Sequence, residues 1–581
     1  MKLLDSRRLT GPGLLLDGPG AVLDLALEGD DGDKIIAAWR SAAIRLLREV
    51  GWPDERLAVR QFPGGVSLAL TAPVDGLYAA TELNERAWDA AAAELGAGAP
   101  RDHAADLSSI LQAIASEQSP RLVALRSAAK ARGLTFLIGE DQVSVGSGAG
   151  AEVWQDTALP EPRAVNWERV YDVPIGLVTG SNGKTTVVRL VAAMLREAGL
   201  TPGFSSTDGV CVGTASIAEG DFSGPNGARL ALRHPSVQAA VLETARGGLL
   251  RRGLAVDVAQ TAVVTNVAED HLGEFGIESM AALAETKLLV AKALKPNGTL
   301  VLNADDPMLV EKSPDVERPI CWFSLDPNSA VVTAHVKRGG TAVLADQDGV
   351  VLVRSGSREP IAALSDLPIT LGGTARHNVA NALAAVGAGA ALGLPAEVMA
   401  AALRRFGEQQ NDNPGRAQLL ELGGIRVLLD YAHNPHGMAA LVALAQRIPA
   451  RRRLVMVGQA GDRSDEAIRQ LARAAWALEP DYVVLKEMDE YLRGRAPGEV
   501  PALLEEEFLR LGVAPHAISK VGPDLAGVRS ALEWARPGDL LVLAVHQDRK
   551  PVMELLNELS EDDWKAGEPL PSGEAGRRVS G

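Results

Sequence analysis

Apolar and polar positions repeat with two different periods along this chain. Before about residue 165, helical patterns at 33–51 and 85–98 flank a short apolar strand pattern at 66–70. After residue 174 the hydropathy pattern changes, because short apolar runs begin to alternate with helical patterns. Strands are predicted there at 175–179, 239–243, 261–265 and 299–303. This alternation predicts a mainly parallel sheet covered by helices.

The same alternation returns after about residue 408, with strand patterns at 425–430, 453–458, 482–487 and 539–545. Pro160, Pro162 and Pro174 mark a linker ahead of the central region. The sequence therefore predicts an α/β protein with three domains. The predicted boundaries are 1–168 for a mixed α+β N-terminal domain, 169–408 for a central domain, 409–562 for a C-terminal α/β domain and 563–581 for a flexible tail rich in Gly, Pro and Ser.

The composition fits three domains and limits the kinds of partner that the protein is expected to bind. A chain of 581 residues suits about three domains of roughly 150 residues each. The 58 Lys and Arg against 74 Asp and Glu give a formal net charge of −16, which repels nucleic-acid backbones and anionic membrane surfaces. We therefore expect no nucleic-acid and no membrane partner.

Cysteine usage and hydropathy favour a cytoplasmic protein. Cys211 and Cys321 are too few for a disulfide framework. The first apolar runs are interrupted by Asp, Arg, Gly and Pro, which is untypical of a signal peptide. No later stretch reaches the roughly 20 uninterrupted apolar residues that a spanning helix requires.

The strongest chemical signal is the strand–turn–helix IGLVTGSNGKTTVVRLVAAML at 175–195. Glycines in such a turn let backbone N–H groups face a phosphate at a helix N-terminus, while Lys184 reaches the β and γ phosphates. The hydroxyl of Thr185 or Thr186 is a candidate Mg²⁺ ligand. Val178 stands where the general pattern has Gly, so the motif is a variant, and an ordinary Gly turn is the alternative. The predicted nucleotide-binding residues here are Gly180, Ser181, Asn182, Gly183, Lys184, Thr185 and Thr186.

A second group of polar residues follows the predicted strands. Glu243 ends one strand, Asp270 and His271 follow the next, and Lys287 lies on the helix after them. Because strand ends of a parallel sheet face the ligand crevice, Glu243, Asp270 and His271 are candidates for holding phosphates and metal. Taken alone, an Asp-His pair is more often structural, and Lys287 is most often a solvated helix charge. The place of Asp270 and His271 after an apolar strand favours the functional interpretation.

The third group lies further along the chain. Asn378 and Asn381 share a face at the start of an Ala-rich helix, where helix capping is the alternative to ligand binding. Arg416 suits a phosphate or carboxylate and Asp430 a ribose hydroxyl, while His433 orients such groups or caps a loop. For both Arg416 and Asp430 a surface ion pair is the alternative.

Taken in order, GSNGKTT, TNVAEDHLG, ETK, NADDP, RHNVANALAA, NPGR and DYAHNP resemble the signature of the Mur ligase superfamily. Within it, STDGV, the segment at 224–257 and YLRGRAPGE resemble the Mur-like module of cyanophycin synthetases. The resemblance covers roughly residues 170 to 560, and RRLTGPG extends it to the first domain of those synthetases. Their ATP-grasp domain has no counterpart here, so the backbone-extending half of their chemistry is expected to be absent.

The resemblance implies a Mur ligase-like central P-loop ATPase domain and a Rossmann-like C-terminal domain. It implies that ATP phosphorylates a carboxylate, and that an amine then attacks the acyl phosphate to give an amide, ADP and phosphate. Lys184 and Thr185 would bind triphosphate and Mg²⁺, and Glu243 and His271 would hold metal. Lys287 would be the lysine that many members carbamylate, which turns a cation into an anionic metal ligand.

The remaining residues are assigned by the same resemblance. Asn378 and Asn381 would approach the adenine, Arg416 and Asp430 the phosphate and ribose, and His433 would lie beside them. The predicted catalytic residues are Lys184, His271, Lys287 and Arg416, and the predicted metal ligands are Thr185, Glu243, His271 and Lys287.

The expected substrates are ATP with Mg²⁺, an amino acid, and a carboxylate-bearing acceptor that is a small molecule or short peptide. Cyanophycin-related substrates are one hypothesis. A ligase that adds glutamate or another amino acid to a different acid or cell-wall precursor is another, and a non-catalytic nucleotide-binding accessory of a synthetase is a third. The sequence leaves a homo-oligomer open.

Overall fold

The structure is a computed structural model that describes residues 2–27, 32–270, 272–347, 349–409 and 411–571. The backbone forms two units. The first comprises Met1–Val267, Leu272–Ala363 and Ala380–Arg404, and the second comprises Ala268–His271, Leu364–Val379 and Arg405–Gly581. The three predicted domain boundaries stay predictions.

The first unit begins with a four-stranded antiparallel sheet in the order β1-β2-β4-β3. Trp39 is fully buried under it, and its indole N–H donates to Asn84 Oδ1 at 2.9 Å. The amide of Asn84 donates in turn to the Leu68 carbonyl, which ties the helices to the sheet. The elements are β1 (Lys2–Leu9), β2 (Gly20–Ala26), α1 (Gly32–Glu49), β3 (Leu57–Phe62), β4 (Gly65–Thr71), α2 (Leu77–Glu94) and α3 (His103–Glu117). The helices and strand predicted for this region are confirmed.

A small three-stranded antiparallel sheet, β5-β6-β7, follows. Arg233 anchors it, because its guanidinium donates to Ser144 Oγ and to the carbonyls of Leu137 and Gln142. The elements are α4 (Pro120–Ala131), β5 (Phe136–Ile138), β6 (Gln142–Val145) and β7 (Glu152–Gln155). The segment predicted as a linker, residues 157–174, contains no strand and no α-helix, and Pro162–Ala164 forms a short 3-10 turn.

An eleven-stranded sheet dominates the first unit, in the order β11-β10-β9-β12-β8-β13-β14-β15-β16-β17-β18. Its strands from β9 to β16 run parallel, and both edges are antiparallel. The strands are β8 (Ile175–Thr179), β9 (Pro202–Ser206), β10 (Gly209–Val212), β11 (Ala215–Glu219), β12 (Ala239–Glu243), β13 (Ala259–Val264), β14 (Leu294–Asn303), β15 (Ile320–Ser324), β16 (Thr341–Asp346), β17 (Gly349–Arg354) and β18 (Ser357–Ala363). The predicted parallel sheet is confirmed.

Helices cover this sheet as the alternating pattern predicts. Helix α5 follows β8 directly, so the turn between them carries the phosphate-loop motif. The helices are α5 (Lys184–Glu197), α6 (Pro225–Arg233), α7 (Arg246–Arg252), α8 (Met280–Leu288), α9 (Pro307–Lys312), α10 (Ala330–Lys337), α11 (Arg376–Ala391) and α12 (Ala396–Arg405).

The second unit contains a six-stranded sheet in the order β19-β20-β24-β21-β22-β23, parallel except for the β19–β20 hairpin. Its strands are β19 (Gln418–Leu422), β20 (Ile425–Asp430), β21 (Arg453–Val457), β22 (Tyr482–Lys486), β23 (Ile518–Val521) and β24 (Leu540–Ala544). Its helices are α13 (Pro435–Ala445), α14 (Asp465–Trp476), α15 (Glu499–Arg510), α16 (Asp524–Trp534) and α17 (Arg549–Glu561). All four strands predicted here are confirmed.

The start of the predicted tail packs onto this unit. Trp564 is only 5% exposed, and the N–H of Ala566 donates to the Gly423 carbonyl at 3.0 Å. The Trp564 ring lies beside Gly423, and the predicted flexible tail from residue 563 stays a prediction. Residues 572–581 lie outside the described part of the chain.

Every helix among the described residues is too short or too polar to cross a lipid bilayer.

Candidate phosphate and metal site

The loop at 180–183 is held in one conformation by the strand beside it. The N–H of Ser181 donates to the Asn266 carbonyl at 3.0 Å, and the N–H of Asn182 donates to Asn266 Oδ1 at the same distance. Thr265 Oγ1 donates to the Asn182 carbonyl at 2.6 Å. The end of β13 therefore fixes the turn that leads into α5.

Both loop glycines are required by geometry. Gly180 and Gly183 have φ of 144° and 85°, values that favour glycine. A Cβ at Gly180 would lie 1.9 Å from Thr265 Oγ1, and one at Gly183 would lie 2.2 Å from Asn381 Oδ1. The predicted residue Asn381 thus lies directly against the loop. No room remains for a side chain at either glycine.

Gly183→Ala is expected to lower the free energy of unfolding by about 2–4 kcal/mol, since left-handed strain adds to a clash with Asn381. Gly199→Ala is the matched control, because its φ is also positive at 79° but nothing lies within 4 Å of its Cβ position. The control is expected to cost about 1 kcal/mol. Denaturant unfolding measures both, and equal losses would show that the Asn381 contact contributes nothing.

Buried oxygens gather beside the loop. Glu243, at the end of β12, is 2% exposed. Thr185 Oγ1 donates to Glu243 Oε2 at 2.8 Å, and Thr207 Oγ1 donates to Glu243 Oε1 at 2.8 Å. Carboxylate and hydroxyl oxygens are the ligands that Mg²⁺ prefers, and Mg²⁺ often takes only one or two carboxylates and completes its shell with phosphates and water. Thr185 and Glu243 therefore fit this ion. Thr207 was not predicted, although its place within STDGV, directly after β9, offered a signal.

The described residues contain no cluster of three or more His, Cys, Asp or Glu side chains suited to a metal. The predicted ligand His271 lies outside the described residues. Lys287 is 3% exposed on α8, so the alternative of a solvated helix charge is excluded. Its carbamylation stays a prediction.

Lys184 is the first residue of α5, and its ammonium donates to the Ser181 carbonyl at 3.1 Å. The side chain therefore folds back over the loop that it follows. An ammonium folded over a glycine-containing turn at the start of a helix is typical of phosphate-binding loops.

The C-terminal candidates gather around Tyr431 at the end of β20. The Arg416 guanidinium lies 4.2 Å from the centre of its ring, and the His433 ring packs edge-on at 5.4 Å. Asp430 Oδ2 accepts the N–H of Ala417 at 2.7 Å. The sequence placed Arg416, Asp430 and His433 in one group without assigning Tyr431 a role.

Asp270 and Asn378 also belong to the second unit. Asp270 accepts from Arg463 Nη2 at 3.0 Å and lies 3.9 Å from His433 Nε2. Asn378 is 2% exposed and donates to the Ile369 carbonyl at 3.0 Å. Neither contact involves the phosphate loop, and the predicted contact of Asn378 with adenine stays a prediction.

Two family models match this chain in the regions just described. A model described as the Mur ligase middle domain matches residues 178–389, and one described as the Mur ligase, glutamate ligase domain matches residues 415–545. The chain contains both Mur ligase domains. The superfamily resemblance and the α/β fold class are thereby confirmed.

Curated relatives extend the comparison. The chain is 38% identical over 338 residues to the cyanophycin synthetase of Synechocystis sp., covering 58% of this chain and 38% of that protein. The synthetase of Trichormus variabilis is 36% identical over 372 residues, covering 64% and 41%. The UDP-N-acetylmuramate--L-alanine ligase of Bordetella pertussis is 29% identical over 446 residues, covering 71% and 86%. The chain thus spans about two fifths of the length of these synthetases.

The Mur ligase C-terminal domain also holds a buried charged network that sequence reasoning missed. The Lys486 ammonium pairs with Asp524 Oδ1 and donates to His546 Nδ1 at 2.8 Å. Asp524 Oδ2 accepts the N–H groups of His546, Gln547 and Asp548. Burial holds the pKa of His546 well below its usual value, so the ring is neutral at pH 7 and accepts from Lys486.

This network packs against Tyr431, the ring around which Arg416 and His433 lie. The His546 ring packs edge-on against Tyr431 with centres 5.0 Å apart, and His546 Nε2 lies 3.2 Å from the Ala432 carbonyl. Lys486 is the last residue of β22 and His546 lies two residues beyond β24, so a charged or titratable residue at the end of an apolar run was the available signal.

Proposed function

We propose that this protein is an ATP-dependent, ADP-forming ligase that joins a carboxylate to the amine of an amino acid. The observation that carries the proposal is the phosphate loop with Lys184 above it and Glu243 bonded to Thr185 beside it. The two Mur ligase domain matches support it.

The reaction proceeds in two displacements. An oxygen of the acceptor carboxylate attacks the γ-phosphorus, and ADP leaves with the electrons of the broken P–O bond. The amine nitrogen then attacks the acyl carbon, loses a proton, and expels phosphate as the amide forms. Both steps crowd negative oxygens together, so positive charge and aligned donors stabilise them.

This chain's own residues supply those groups. The N-terminus of α5 and the Lys184 ammonium bind the triphosphate. Thr185 and Glu243 would hold Mg²⁺, which would neutralise charge on the phosphate oxygens. Lys287 is proposed as a further ligand in its carbamylated form. The roles of Arg416, Asp430 and His433 toward phosphate and ribose are part of the same proposal.

We further propose cyanophycin-related substrates, because the identity to the two synthetases reaches 36–38% across the Mur-like region. An acceptor such as a short Asp-Arg peptide and arginine as the amine fit that hypothesis. Addition of glutamate or another amino acid to a different acid is the competing hypothesis, and the glutamate ligase description of the second domain supports it.

The test is release of phosphate from ATP by the full chain, screened over amino acids crossed with short Asp-Arg peptides and other acids. Turnover is expected to require ATP, Mg²⁺, an acid and an amine together, and mass spectrometry of the product decides between the two substrate hypotheses. A folded protein that splits no ATP with any pair, and does not bind ATP, would refute the ligase proposal.

A further inference from the structure

Four arginines meet where a strand end and two helices of the first unit come together. Arg8 lies near the end of β1, Arg229 on α6, and Arg251 and Arg252 end α7; we call these four residues the arginine cluster. Thr10 links them, because its N–H donates to the Arg252 carbonyl at 2.9 Å and its hydroxyl accepts from Arg229 Nη2 at 3.3 Å. None of the four belongs to the loop or to the Glu243 group.

Among the described residues, no ion pair joins a guanidinium group of the cluster to a carboxylate, whereas neighbouring Arg7 and Arg246 pair with Asp24 and Glu274. Arg8 instead lies over the ring of Tyr78, 3.8 Å from its centre, and Arg229 donates to Asn226 Oδ1 at 2.9 Å. Four cations are thus gathered beside neutral partners.

Their mutual repulsion shows in the electrostatics. Burial lowers the pKa of both Arg229 and Arg252, and nearby arginines of the cluster lower it further. Two carboxylates, Glu140 and Asp5, act in the opposite direction with smaller effect. Repulsion among these arginines costs stability in the free protein, and a bound anionic partner would relieve it.

The surface is accessible. Arg251 and Arg252 are exposed and Arg8 is half-buried. Tyr78, beneath Arg8, is 59% exposed and adds an aromatic contact. We propose that the arginine cluster binds a short acidic peptide segment, with neighbouring carboxylates engaging guanidinium groups from β1, α6 and α7.

Charge complementarity favours this occupant over a nucleic acid. Guanidinium groups pair bidentately with carboxylates, and groups contributed by three separate elements suit several carboxylates along a chain. The negative field of the whole chain opposes a long polyanion, while a short segment needs only the local positive surface.

The experiment measures binding of a fluorescent octa-aspartate peptide to the full chain without nucleotide, with octa-asparagine as the uncharged control. Octa-aspartate is expected to bind, and added salt to weaken it. Arg251→Glu/Arg252→Glu is expected to weaken binding at least about tenfold. Arg45→Glu/Arg48→Glu makes the same charge change on exposed residues of α1 and is expected to stay within about twofold.

Three outcomes would overturn the proposal. They are undiminished binding by the charge-reversed variant, an equal loss in the α1 control, and displacement of the peptide by single-stranded RNA or tripolyphosphate at lower concentration than by unlabelled octa-aspartate. Arg8→Gln/Arg229→Gln provides a milder second variant and is expected to weaken binding in the same direction. Lys184→Ala is expected to bind the peptide normally, which separates this proposal from the ligase proposal.

Discussion

Replacing Lys184 by alanine is expected to reduce ATP turnover at least about a thousandfold while leaving the fold intact. The ammonium stands over the phosphate loop, where it donates to the Ser181 carbonyl at 3.1 Å. The turn at 180–183 contains no lysine, so no neighbouring ammonium in the loop replaces the charge of Lys184. The side chain is half-buried at a helix start and is not among the buried residues of α5, so its truncation is expected to leave the core of the domain intact.

The measurement is ADP release under saturating acid and amine, together with thermal unfolding of the same sample. Lys337→Ala, which removes an exposed lysine from the end of α10, is the control and is expected to keep wild-type turnover. A folded Lys184→Ala protein that releases ADP at the wild-type rate would refute the assignment of the phosphate loop.

The strands of the central sheet could be predicted because their bounds depend on residues that are adjacent in the sequence. Strands such as Ile175–Thr179 and Ala239–Glu243 begin and end where the apolar runs do, since a strand buried on both faces needs a continuous apolar run. The conformation of the loop at 180–183 was predictable for a similar reason, because positive φ angles favour glycine at Gly180 and Gly183.

What the sequence did not reveal depends on contacts between distant residues. Arg8 and Arg252 are 244 positions apart in the sequence, and Lys486 and Asp524 are 38 positions apart. The periodicity of the sequence predicts that a residue lies at the end of a strand or helix. It does not predict which distant residue that side chain contacts. Burial of Trp564 is of the same kind, since it depends on the space beside Gly423.

The second large effect concerns stability. Asp524→Asn is expected to lower the free energy of unfolding by about 3–5 kcal/mol, because the amide leaves the fully buried Lys486 ammonium without its counter-charge. The amide also presents one acceptor oxygen where the carboxylate presents two, so Lys486 and the N–H groups that follow β24 compete for it. The loop that carries His546 is expected to loosen as a result.

Asp465→Asn is the matched control, because Asp465 likewise begins a helix but its side chain is 53% exposed and pairs with Arg495. It is expected to cost less than about 1 kcal/mol. Denaturant unfolding of the C-terminal domain within the full chain measures both variants. The double variant Lys486→Met/Asp524→Asn is expected to recover much of the loss, because removing both charges leaves none buried alone. If Asp524→Asn costs no more than Asp465→Asn, the buried pair does not hold this domain together, and the packing of His546 against Tyr431 must be maintained by the surrounding apolar side chains alone.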